Sequence, residues 1–107
     1  MKGTKIFTAV ITAMLMISSA QAAEIPRESA PLNATEEQIV IVENLIGDIL
    51  DQVATGNLGY TEAAGAANTR VRKAVIARET NGHGYGILSP IAQNAIFAAR
   101  IRIWLAN

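Results

Sequence analysis

A chain of 107 residues, half of them hydrophobic and 17% charged, holds enough material for one small packed domain and not two. It has no cysteine and one histidine, which excludes a disulfide framework, a lipid-modified N-terminal cysteine and the usual Cys/His zinc sites. A formal net charge of zero gives no electrostatic footprint for nucleic acid.

Residues 1–22 have the anatomy of a secretory signal peptide. Lys2 and Lys5 open the chain, an apolar run follows from Ile6 to Ile17, and Ala20 and Ala22 stand at the A-x-A positions of a cleavage site. The apolar run is well short of the ~20 residues that cross a bilayer as a helix. The expectation is cleavage before Ala23 and a periplasmic or secreted product.

From Ala23 onward, seven bases stand against nine acids, a net charge of −2. Up to Glu62 eight acids accompany only Arg27, and beyond it six bases accompany only Glu79. An acidic helix lying against basic helices accounts for that asymmetry, with rim pairs contributing little each. The basic half also suits an anionic partner or the acidic face of a neighbouring copy.

Residues 23–34 contain Pro26 and Pro31, three charged side chains and little apolar periodicity, and read as an extended, mobile segment ahead of a helical domain at 35–107. Thr35-Glu36-Glu37-Gln38 has the form of a capping box. Ile39, Val42, Ile46, Ile49 and Val53 then recur at three and four, widened by Leu45 and Leu50, which predicts a helix from Glu36 to Thr55 stopped by Gly56. Glu43, Asp48 and Asp51 fall on it without the glycine-turned loop that wraps calcium, and read as a solvated face.

Asn57-Leu58-Gly59 allows only a sharp reversal. The next helix is expected from Tyr60 or Thr61 to about Thr80, burying Tyr60, Ala64, Ala67, Val71, Ala74 and Val75, with Gly82 as its cap. The run Ala63-Ala64-Gly65-Ala66-Ala67 lets another helix approach closely. In Asn81-Gly82-His83-Gly84-Tyr85-Gly86 the glycines leave His83 without a fixed orienter, Glu79 being the nearest in sequence. That loop reads as a connector, with His83 and Tyr85 available for recognition.

Ser89-Pro90 predicts a third helix with Ser89 as N-cap, running from Pro90 to about Ala106. Ile91, Ala92, Ala95, Ile96, Ala99 and Ile103 line one side, and Phe97, Ile101, Trp104 and Leu105 another. Phe97, Arg100, Ile101, Arg102 and Trp104 are the side-chain types that dominate binding hot spots, and they form the candidate binding face.

The fold class is therefore all-α, a helical hairpin closed by a third helix. Ser29 and Ser89 lie in no nucleophile-elbow setting, and no residue pattern points to a catalytic, metal or cofactor site. The expected function is non-enzymatic binding, as an inhibitor, immunity or adaptor protein of an envelope or secretion system, with a protein partner or a second copy as ligand. The alternatives are a membrane-surface-active effector using the last helix and a small enzyme built on the His83 loop.

Overall fold

The computed structural model describes residues 24–106, with side chains described for residues 24–102. The expected signal peptide and the side chains of Ile103, Trp104 and Leu105 lie outside the described residues. Among the described residues a 3-10 turn at Arg27–Ser29 precedes three α-helices, α1 Glu36–Ala54, α2 Tyr60–Ile76 and α3 Tyr85–Ala106, and there is no strand. Each helix packs on the other two, giving the expected all-α three-helix bundle. Arg70 meets Asp48 while Asn81 meets Glu37, so α2 runs antiparallel to α1. Ser89 meets Asn68 while Gln93 meets the Ala64 carbonyl, so α3 turns back again and lies parallel to α1.

The capping box at the start of α1 forms in full. The Gln38 amide N–H donates to Thr35 Oγ1 at 3.2 Å, and the Thr35 N–H donates to Gln38 Oε1 at 2.9 Å. Two of the first-turn donors that a helix cannot satisfy internally are thereby paired. The helix ends where Gly56 turns to φ 82°. There Asn57 N–H reaches back to Gln52 O at 2.9 Å and Gly56 N–H to Val53 O at 3.0 Å, the two bonds of a Schellman cap. Between the caps, Ile39, Val42, Ile46, Ile49, Leu50 and Val53 are buried, the expected stripe.

The stripe of α2 is rotated from its expected position. Ala63, Ala67, Val71 and Ala74 are buried, whereas Ala64 and Val75 are half-buried and Tyr60 is exposed. Packed against both α1 and α3, the helix turns Ala63, Ala67 and Ala74 into the seam, where they permit close approach, while Gly65 and Ala66 are exposed. It also ends about four residues earlier than expected, and Gly82 is not its cap. Glu79 N–H bonds Ala74 O and Arg78 N–H bonds Val75 O, a second Schellman cap whose left-handed residue is Arg78 at φ 61°. Glycine usually fills that position, and here an arginine marks the stop instead. Asn81 and Gly82 instead form a turn in which both have positive φ and His83 N–H closes on Thr80 O at 3.0 Å, the Asn-Gly pairing typical of type I′ turns.

The start of α3 is also corrected. The helix begins at Tyr85, a turn and more before Pro90, and the Gly84 carbonyl accepts from Ile87 and Leu88 N–H at 3.1 and 3.0 Å. Ser89 is not the cap, because its hydroxyl donates to Asn68 Oδ1 at 2.9 Å across to α2. Pro90 has no N–H for the Gly86 carbonyl, and Gly86 is exposed, so water can take that bond. The additional turn seats Leu88, fully buried, beside Ile91.

Residues 24–34, expected as an extended segment, carry one 3-10 turn and one core residue. Ile25 is 1% exposed and belongs to the core. The turn at Arg27–Ser29 lies against α3, where Asn94 Nδ2 donates to Ser29 O at 3.0 Å. Two prolines and three charges conceal one apolar anchor.

Candidate functional site

The residues singled out from sequence fall into two groups. His83 and Tyr85 lie at the end of the bundle where α1 begins. Phe97 is twelve residues further along α3, about 18 Å at 1.5 Å per residue, and the two groups form no common site.

At the first end the imidazole has orienters after all, supplied by α1 and not by Glu79. His83 Nδ1 is 3.2 Å from Gln38 Nε2, and Nε2 is 3.6 Å from Glu37 Oε1. Gln38 Oε1 is already accepting from Thr35 N–H, so Gln38 presents its NH2 to the ring. Nδ1 is therefore the acceptor, and Nε2 carries the proton on the side of Glu37. Thr80, 2% exposed, donates its hydroxyl to the His83 carbonyl at 2.6 Å, and Asn81 Nδ2 donates to Glu37 Oε2. The Asn81 bond holds the Glu37 carboxyl below the usual range, against some desolvation. The ring lone pair is spent on Gln38, which removes the free acceptor a general base needs. Tyr85 is half-buried with the Arg72 guanidinium 5.4 Å from its ring centroid, a cation–π stack within the bundle.

The second group lies on the face of α3 turned away from the core. Phe97 is 54% exposed, and its ring meets Tyr60 edge to face at 6.1 Å and 78°, which fixes it from the α2 side. It borders a predominantly apolar groove of about 540 Å³ whose other lining residues are Pro26, Glu28, Ser29, Asn94, Ala98, Ile101 and Arg102. Arg100 and Arg102 are exposed, and among the described residues no carboxylate forms an ion pair with either. Phe97 and Ile101 share the α3 side of the groove as i and i+4 neighbours. The side chain of Trp104, expected on the same face, lies outside the described residues. The strap residues Pro26, Glu28 and Ser29 were missed from sequence. Ile25 as a lone apolar residue ahead of Pro26 was the available signal.

Elsewhere ion pairs stand on the rim, Arg70–Asp48 between the acidic and basic halves and Arg27 with Glu36 and Glu43 within the acidic half. Arg70 forks onto Asp48 at 2.8 and 3.2 Å and holds that carboxyl low, mainly through the hydrogen bond. Arg27 forks onto Glu36 at 3.1 and 2.6 Å and also reaches Glu43 at 2.7 Å. These bonds raise the guanidinium above its ordinary value, Glu36 first and Glu43 second, and lower the Glu36 carboxyl. Among the described residues no three His, Cys, Asp or Glu side chains gather to hold a metal ion, and no helix is long and apolar enough to cross a membrane. No protein-family model matches the chain, and neither a curated protein nor a solved structure matches it.

Proposed function

We propose that the chain is a small exported binding protein without enzymatic activity, released by cleavage before Ala23. It acts as an inhibitor, immunity or adaptor protein in an envelope or secretion system. The observation that carries the reading is Phe97, held on one side by Tyr60 and open on the other to an apolar groove. An aromatic ring fixed by packing loses little freedom on binding, and aromatic and arginine side chains supply most binding hot spots.

The partner is a protein surface that offers an apolar side chain to the groove and a carboxylate to Arg100 or Arg102. Glu28 stands on the opposite rim beside Arg102, and Glu24 is exposed next to it. A mixed rim of this kind suits the patterned charges of a protein. A uniformly anionic lipid surface satisfies the arginines and repels the two glutamates.

Phe97→benzoylphenylalanine, illuminated in cells that export the protein, tests this reading. The expected result is one discrete protein adduct, weakened by Arg102→Glu and absent when the same group replaces Ile76, which is 73% exposed on α2. Lipid adducts alone would support the membrane-surface alternative. Identical adducts from positions 76 and 97 would contradict the groove as the docking face.

A further inference from the structure

The groove has two walls of unequal strength. One is α3, which contributes Asn94, Phe97 and Ile101 and is built into the core through Ile91, Ala95 and Ile96. The other is the strap at residues 26–29, whose Arg27–Ser29 turn buries no side chain of its own. It is anchored by the adjoining Ile25, buried in the core, and on its other side by Ala30, partly buried against the same core. The Glu43 carboxylate accepts Ile25 N–H at 2.8 Å and Arg27 Nη1 at 2.7 Å, while the same Nη1 donates to Ile25 O at 2.7 Å. The anchor residue therefore has both backbone groups satisfied by one Glu–Arg pair. Arg27 also forks onto Glu36 at 3.1 and 2.6 Å, and Asn94 Nδ2 donates to Ser29 O at 3.0 Å.

We propose that the strap is a clasp, with Ile25 and Arg27 as positioning residues: seated, it completes the groove, and released, it removes one wall and with it the docking site. One isoleucine and one forked arginine are set against the backbone entropy of the whole strap. Segments held by few buried contacts open at a free energy far below that of global unfolding. The strap therefore opens while the three helices stay packed, and its seating controls access to the groove. The consequence for docking rests on the function proposed above, whereas assembly of the wall does not.

Arg27→Ala and Ile25→Ser open the clasp from its two sides, and Arg27, being exposed, can be replaced without touching the core. The strap is read by hydrogen exchange at the Ser29 and Ala30 amides, which are bonded to Pro26 O and Arg27 O. The groove is read by the ¹⁹F resonance of 4-fluorophenylalanine at position 97, and Phe7→Leu leaves that ring as the only one labelled. The expected result for Arg27→Ala is strap exchange faster by about tenfold, a shifted Phe97 resonance, retained helix protection and a weaker photoadduct from position 97. Fast strap exchange with an unmoved Phe97 resonance would overturn the strap as a wall, and unchanged exchange would overturn Arg27 as the fastener. A moved resonance with an unchanged adduct would overturn the control of docking. A parent chain that gives no adduct contradicts the proposed function alone, and the clasp is then decided by exchange and ¹⁹F.

Discussion

At the end of the bundle where α1 begins, polar groups from three segments close on one another. The capping box fixes Gln38, Gln38 fixes His83, and Glu37 receives Asn81. At the Phe97 end an aromatic ring stands half out of the protein beside a groove walled on its other side by residues 26–29. Both ends draw on residue types that suggest function, a histidine among glycines and an aromatic among arginines. The difference between them teaches that residue type is a weaker guide than unspent interaction capacity. The histidine's acceptor is committed to Gln38, while among the described residues one side of the phenylalanine has no cover.

The largest expected difference between the two ends is in folding. Leu88, fully buried at the closed end, should cost about 2–5 kcal/mol when replaced by alanine, through lost burial and a cavity, and a chemical denaturation curve reads it. Phe97→Ala should lower folding stability by under ~1 kcal/mol, because the ring is already 54% exposed and loses mainly its contact with Tyr60. Its effect appears on binding, as a loss of at least ~2 kcal/mol, about thirtyfold in affinity for the photocaptured partner. Equal stability losses at the two positions would erase the distinction between scaffold and face.

A smaller change breaks the closed end alone. Gln38→Ala removes the reciprocal half of the capping box and the partner of His83, and should cost about 1 kcal/mol without altering the adduct from position 97. Amide exchange around Thr80–His83 should rise in step. The smallest expected effect concerns pH and the strap. The Glu36 carboxyl is lowered by Arg27, so its contribution is fully present above the ordinary glutamate range, ~4.3, and fades as pH falls through the lowered value. Strap exchange, corrected for intrinsic rates, should stay level from neutral pH to about 5 and speed up below the ordinary range. Glu36→Gln should remove most of that acid step.

The sequence discloses the parts of this fold that depend on strong local chemistry. The capping box, the apolar stripe of α1 and the glycine stop at Gly56 are each written in adjacent residues, and so is the split of α3 into a core face and a Phe97–Ile101 face. What stays hidden is set by tertiary contact. Arg78 takes the left-handed position that glycine usually fills, so α2 shows no stop at Ala77. Ser89-Pro90 has a strong start signal, yet burial of Leu88 draws the helix back to Tyr85. The strap is illegible for the same reason, since the carboxylates of Glu36 and Glu43 that fasten Arg27 arrive from α1. Of the candidate binding residues, the α3 face is legible from helical spacing. The commitment of His83 to Gln38, forty-five residues away, is not.

The most direct test sets the two ends side by side in one assay. Ile87, 44% exposed at the closed end, and Phe97, 54% exposed at the groove, are each replaced by benzoylphenylalanine in the exported protein and illuminated in the same cells. A discrete protein adduct is expected from position 97 and none from position 87. An adduct from position 87 with none from position 97 would contradict this expectation, moving function to the end that the structure closes.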